Sequence, residues 1–580
     1  MTKANINRDE ADVKVIIITL LCLLTIYPLF MRVNYTSIDF TMHSQMHWFV
    51  PLPIAYIAAT QLVLIIGLLS SRHKLVVILP FVVTYILVSG FIITQLPYTI
   101  QGDNLLHSSN VKLIDIYGRL PPYSNTYTYR YPSLFILSSI LGKILGVETI
   151  PLNTLLVAWL HITITMTLYV FLKEVLDEKD KILAPLISAF NSLGNFHLTY
   201  FLSIFTPRLF VIPLFYLLLY TMFKEGSKAM KIISVLLLGA IITGHPTTPL
   251  YIALFIAGLL MCAKNHHYTS KLVSLLLTLI LWIAWLIYRA DYDFEWAVKT
   301  AFGRLESPWH ATYGISSPFI QEQIDFSKDP ITSLLRAYRL LIIAFPYLIG
   351  GIVASYHVLH IVLAKGKMNS RKVSLSFASL FMFVGSLAFY AISGRGHDYF
   401  YLFSYPLFLN LTFQAITTCI CLSSKFRSIK INGYGFFIVV ASIISIIVLP
   451  LSFLSIHSTR VYIGPSDYGG LTFLTNFGPD KDVSTTGDIF YDYAIFNPSY
   501  FWPGKAGRSL LIYTSPQELV EQSKKVPYVF EGDIAIRSSK QVFGLYFSGL
   551  SPYFWKSVDH HLAEQRNKVY DNGNMLIWSK

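Results

Sequence analysis

An aspartate and a histidine four residues apart, Asp103 and His107 in GDNLLHSS, share one face if that stretch is helical. A carboxylate held there can act as a general base or as a metal ligand. The same spacing fits a second reading, in which Asp103 caps a helix beside the membrane and His107 sits at the interface. Spacing alone leaves both open. Arg208 in FTPRLF offers a guanidinium for a phosphate, or a charge that snorkels to the interface. Arg395, His397 and Asp398 stand together in GRGHDYFY, where flanking glycines expose backbone N–H groups beside an arginine fork. An ordinary solvated turn fits that segment as well. His245 in TGHPTTPL can hydrogen-bond a sugar, ligate a metal or cap a helix. Asp291, Asp293 and Glu295 alternate in the manner of cation ligands but complete no cation loop.

The elements that position these groups follow from composition. The chain has 580 residues, 54% hydrophobic and 13% charged, with a mean hydropathy of +0.54. An ordinary soluble globule carries about 25% charged residues, so this is a polytopic α-helical membrane protein. Only four cysteines occur, and none forms a CxxC pair, which excludes a disulfide scaffold and a zinc ribbon. The net charge is +13, yet residues 457–580 hold 12 basic and 12 acidic side chains, so the whole excess lies in the apolar part. That distribution encodes membrane topology and argues against a nucleic-acid footprint.

A span needs about 20 apolar helical residues. Thirteen transmembrane helices are predicted, at 14–32, 49–70, 75–95, 151–173, 183–198, 200–223, 231–244, 247–263, 272–289, 336–364, 373–393, 399–422 and 434–456. The first lacks a small-residue cleavage site and reads as a signal anchor. Lys/Arg-rich connections, such as Lys224/Lys228/Lys231 and Lys365/Lys367/Arg371/Lys372, fall on alternate loops. They place the N-terminus in the cytoplasm and the C-terminus outside, and a plasma-membrane location is expected.

Residues 1–456 thus form a multispan domain with exoplasmic loops at 96–150 and 290–335. The apolar run Tyr131–Gly146 is too short to cross and would invert every later loop, so a helix lying at the outer interface is expected. Residues 457–580 read as an exoplasmic soluble α/β domain. DVSTTGD, RSLLIYT and YVFEGDIAIRS are strand-like, SPQELVEQSKK is helical, and NKVY-DNG-NMLIW is a hairpin pattern. No P-loop, dinucleotide fingerprint, Ser-His-Asp constellation or internal repeat occurs.

Asp103 beyond an early span, the Gly118-Arg119-Leu120-Pro121 turn, and Tyr131-Pro132 opening a short helix that ends at Leu145-Gly146 together resemble the first exoplasmic loop of GT-C glycosyltransferases. That superfamily includes protein O-mannosyltransferases, aminoarabinose transferases and oligosaccharyltransferases. The likeness covers roughly residues 75–260, and the terminal YDNG hairpin resembles the ends of archaeal membrane proteins placed in this group. The resemblance implies a polyprenyl-phosphate or polyprenyl-diphosphate sugar donor, an exoplasmic acceptor (protein, glycan or lipid), and catalysis by Asp103 assisted by His107. Arg208, Arg395 and His397 would bind the donor phosphate. Arg119, Tyr131, His245 and Asp398 would contact substrate. In oligosaccharyltransferase-like relatives a late-loop carboxylate joins a metal, so Glu306 or Glu322 would join Asp103 on Mg2+ or Mn2+. The chain departs from the pattern at Asn104, where many relatives have Glu, and keeps only Asp467-Tyr468-Gly469 of the Trp-Trp-Asp-Tyr-Gly signature. The competing class is a transporter, flippase or assembly scaffold, which predicts charges paired at mid-bilayer. Polar residues gathered at outer span ends favour the enzyme.

Overall fold

The computed structural model describes residues 103–120, 127–176, 181, 184, 187–188, 191, 205–224, 228–262, 265–291, 293–295, 298–299, 330–364, 370–393 and 403–422, with five strands in the terminal region. The first three predicted spans, the fifth apart from a few residues, and the thirteenth lie outside them.

The first described segment is α1 (Asp103–Tyr117), stopped by Gly118 at φ 65°. A left-handed residue closes a helix end at low cost only when it lacks a Cβ. A single turn, α2 (Tyr127–Arg130), leads into α3 (Ser133–Leu145), which Gly146 ends at φ 64°. This short helix lies within the apolar run Tyr131–Gly146. Its Leu134 and Phe135 are buried, while Ile140, Ile144 and Leu145 are exposed.

The bundle follows as α4 (Thr149–Val175), α5 (Pro207–Phe223), α6 (Lys228–Ile242), α7 (Thr248–Met261), α8 (Asn265–Tyr288), α9 (Pro330–Ala364), α10 (Ser370–Ser393) and α11 (Tyr405–Leu422). Among the described residues four helices are long and apolar enough to cross a membrane, with apolar stretches Pro151–Val175, Tyr268–Tyr288, Ala344–Leu363 and Arg371–Phe389. The predicted boundaries need correction at several places. Pro207 opens α5 seven residues later than expected, because proline is favoured in a first helical turn and cannot continue a helix from before it. Conversely, α8 starts at Asn265 and α9 at Pro330, each a turn or more before the apolar run begins. Polar first turns escape a search for apolar windows.

Helix packing depends on small residues. A Cβ on Gly258 of α7 would lie 2.6 Å from the Cα of Ala378 in α10, and one on Gly350 of α9 would lie 2.5 Å from the Phe408 ring in α11. Close backbone approach is a main source of helix association in lipid. Gly258→Ala should therefore destabilise the bundle by about 1–3 kcal/mol through overpacking against backbone that cannot yield. Gly239→Ala, with nothing within 4 Å of its added methyl, should leave the thermal midpoint of the solubilised protein nearly unchanged. Equal midpoints for the two variants would refute this account.

Side-chain links join helix ends to one another. The connections assigned to the outer side meet one another: the Ser133 and Thr243 hydroxyls are 2.6 Å apart, and Trp282 Nε1 donates to Pro246 O at 2.9 Å. The opposite connections also meet, with Arg371 Nη1 donating to Glu174 O at 2.9 Å.

In the terminal region β1 (Val483–Thr486), β2 (Leu510–Tyr513), β3 (Tyr528–Glu531), β4 (Asn567–Asp571) and β5 (Leu576–Ser579) form one sheet in the order β2-β1-β3-β5-β4. β1 pairs parallel with both β2 and β3, whereas β5 pairs antiparallel with β3 and β4. β1, β2 and β3 fall within the strand-like runs, and the β4–β5 pair is the predicted hairpin, each of its strands reaching one residue past its run. The helical SPQELVEQSKK segment lies outside the described residues.

A candidate anion-binding active site

His107 sits one turn into α1, on the face that the backbone gives Asp103 as well. The described side chains begin at His107. Its ring packs 5.8 Å from Tyr127 and 5.5 Å from Phe135, and the Tyr127 and Tyr131 rings lie 5.1 Å apart. These four aromatic rings come from α1, α2, the link after α2 and α3, so the first loop builds a small core around the imidazole. His107 Nδ1 is buried and accepts or donates no hydrogen bond.

A polar network fixes α1 beneath this core. Ser138 donates to Asn153 Oδ1, and Asn153 Nδ2 donates to Ser108 Oγ at 2.9 Å. Ser139 and Thr149 both donate to the Asp115 carboxylate, Thr149 at 3.2 Å. Buried polar groups left without partners cost about 1–3 kcal/mol each, so a satisfied network specifies one placement of α1 against α3 and α4. None of these residues stands out in the sequence, because Ser, Thr and Asn are common in apolar helices and their partners lie 15 to 45 residues away.

Arg208 occupies the second position of α5, behind Pro207, where backbone N–H groups of the first turn point outward from the helix end. His245 lies in the turn between α6 and α7, almost wholly buried, with Nδ1 2.8 Å from the Thr248 hydroxyl at the start of α7. The Arg208 charge acts on both imidazoles. Burial, and secondarily Arg208, holds the His107 pKa down at about 3. The same two causes, in the same order, hold His245 well below the usual histidine range. Arg208, at the start of α5, thus lies near enough to both imidazoles for its charge to act on them, and it carries the formal charge of the three. Two neutral imidazoles and a helix N-terminus accompany that charge. Such a set attracts an anion and can hydrogen-bond it in several directions.

The pH dependence has a definite sign. His107 is neutral in both folded and unfolded chains above pH 6.5. Between that value and about 3 only the unfolded chain takes up the proton, so stability falls with pH by up to about 1.4 kcal/mol per unit. The thermal midpoint should drop as pH is lowered from 7 to 5, and less steeply in His107→Phe. Parallel slopes would show that His107 does not titrate in this way.

Other sequence candidates are dispersed. Tyr131 is buried in the aromatic core, with its hydroxyl pKa raised first by burial and then by the Asp293 carboxylate. Arg119 is exposed behind Gly118. Asp293 pairs with Arg130, and Glu295 pairs with Lys299 one turn on at 2.5 Å. Two of the three carboxylates in Asp291-x-Asp293-x-Glu295 are therefore held in ion pairs. Arg395, His397, Asp398, Glu306 and Glu322 lie outside the described residues, as does the Asp103 side chain. Among the described residues no three His, Cys, Asp or Glu side chains converge as a metal site.

No protein family profile matches the chain, and no curated protein does. Among solved structures it is similar to the Archaeoglobus fulgidus oligosaccharyltransferase crystallised with Zn and sulfate, at 12% identity and a TM-score of 0.49, covering 86% of this chain and 73% of that one. It is also similar to the oligosaccharyltransferase AglB of the same organism in complex with an inhibitory peptide and a dolichol-phosphate, at 13% identity and a TM-score of 0.47 over 83% and 72% of the two chains. A third is ArnT from Cupriavidus metallidurans bound to undecaprenyl phosphate, at 9% identity and a TM-score of 0.43 over 86% and 97%. Likeness at this level carries no argument about chemistry, and the site stands on its own residues.

Proposed function

We propose that this chain is a membrane glycosyltransferase of GT-C type that takes a sugar from a polyprenyl-phosphate or polyprenyl-diphosphate donor and passes it to an acceptor at the outer face. The observation that carries the reading is the gathering of Arg208, His107 and His245 at one end of the helical bundle. A lipid-linked donor brings a phosphate to that level of the membrane, while its sugar projects into water.

In the proposed step Asp103 removes the proton of the acceptor nucleophile, whose electron pair forms a bond to the anomeric carbon. The bond from that carbon to the phosphate oxygen breaks, and its electrons leave with the lipid phosphate. The negative charge so developed lies against the Arg208 guanidinium and the first turn of α5, where a fixed positive field lowers the barrier without reorganisation. Neutral His107 and His245 supply N–H donors to the same phosphate. Arg395 and His397 are assigned to the donor phosphate as well, and Arg119, Tyr131 and Asp398 to the substrate side. No step is routed through Mg2+ or Mn2+; Asp103, Glu306 and Glu322 remain the residues proposed to hold such an ion. The terminal domain, 457–580, is proposed to shape the acceptor side outside the plasma membrane, with the N-terminus in the cytoplasm.

The test is transfer of radiolabelled sugar from lipid-linked donors in membranes that contain or lack the protein. Product that depends on the protein, and that falls when free polyprenyl phosphate competes, is the expected result. Failure to form product from a panel of mono- and diphosphate donors would overturn the reading in favour of a transporter or scaffold.

A further inference from the structure

The outer end of α8 is fastened to the first loop through the four residues that precede Ser133. Trp285 Nε1 donates to Arg130 O at 3.0 Å, and Arg289 Nε donates to Tyr129 O at 3.1 Å. The Arg289 guanidinium also stacks 3.3 Å from the centre of the Tyr129 ring. Just beyond the helix, Asp293 forms an ion pair with Arg130, whose side chain is 8% exposed against 28% for the carboxylate. The partners are 163 residues apart in sequence. Tyr131, next to Arg130, also feels the Asp293 carboxylate and touches Tyr127, which in turn touches His107.

We infer that Arg130 and Asp293 are a positioning pair: the clasp sets the Tyr127–Tyr131 turn against α8 and, through its rings, seats the His107 imidazole. The inference rests on the proposed function for its catalytic consequence, though not for its structural one. An arginine fork is suited to the task because it fixes direction as well as distance. Removing either partner leaves the other charge inside a largely buried contact, so the turn has to move to rehydrate it. The imidazole then loses the ring packing that excludes water from it.

The experiment compares wild type, Arg130→Ala, Asp293→Ala, the near-isosteric Asp293→Asn and the exchanged pair R130D/D293R, all as full-length protein. Carbethoxylation by diethyl pyrocarbonate is followed at individual histidines by peptide mass spectrometry. His161, fully buried in α4, reports on global opening. His107 should be modified about tenfold faster in the single variants, His161 should stay protected, and the exchanged pair should return His107 toward the wild-type rate. In the transfer assay the single variants should lose about tenfold in kcat with a smaller change in donor KM, since misplacement harms the reacting geometry more than binding. Unchanged His107 reactivity in Asp293→Asn would overturn the inference, as would an exchanged pair that restores nothing while His161 stays protected. If the wild type transfers no sugar, the proposed function fails, and the labelling still decides the role of the pair.

Discussion

Arg208→Ala should weaken binding of polyprenyl phosphate about 100-fold, because deleting one partner of a desolvated charged hydrogen bond costs about 2–5 kcal/mol. Lysine at the same position keeps the charge but not the planar fork, so Arg208→Lys should fall between wild type and alanine. Equilibrium binding of labelled polyprenyl phosphate to the purified protein measures both. The alternative role, an arginine whose charge only reaches for the interface, predicts that alanine binds the lipid as well as wild type does. Arg208 also depresses the two imidazoles, so its removal should raise the apparent pKa of His107 even without ligand. That second readout separates a lost charge from a lost fold.

Asp103→Asn should reduce kcat by about 10²- to 10⁴-fold while donor binding changes little, as expected when a general base is lost. Asparagine is the informative replacement. The carboxylate stands at the first residue of α1, where an N-terminal cap is the competing explanation, and asparagine caps a helix about as well as aspartate. A cap therefore tolerates the change, and a base does not. Full transfer activity in Asp103→Asn would move the search for the base to the carboxylates of the second large loop. A solubilised variant with an unaltered melting midpoint and no product would leave the carboxylate's chemistry as the explanation.

The legible parts of this protein were those governed by local pattern. The 16-residue apolar run ending in Gly146 announced a short helix by its length and its stop. Three of the five strands lay inside the strand-like runs, and the other two formed the hairpin marked by Asn572-Gly573. Arg208 and His245 could be singled out because ionisable side chains are rare in and beside apolar runs outside the Lys/Arg-rich connections. Their association with His107 could not, since it depends on which helix ends meet. The clasp was less visible still. Arg130 sits in a Tyr-rich stretch that reads as interfacial, and Asp293 sits in an alternation that suggested a cation. Each owes its role to the other across 163 residues, a distance over which spacing carries no information. Asn153, Ser138 and Asp115 were missed for a related reason: a polar residue that satisfies a buried neighbour resembles one that faces a headgroup.

At 1.5 Å per residue the 35-residue α9 is about 52 Å long, against a hydrocarbon core of about 30 Å. Its membrane-length stretch, Ala344–Leu363, leaves Pro330 to Ile343 as about four turns of helix beyond the apolar part. Pro346 lies just inside that boundary, where it removes one backbone donor and provides a natural place to bend. Its carbonyl accepts the Thr412 hydroxyl of α11 at 3.0 Å, and Gly350 rests on Phe408 one turn further along. The geometry is that of a lever with its fulcrum at the α9–α11 contact. A bend of about ten degrees at Pro346 would sweep the far tip through about 4 Å, given an arm of roughly 24 Å to Pro330. Small adjustments between two packed helices would thereby be magnified where the second large loop rejoins the bundle.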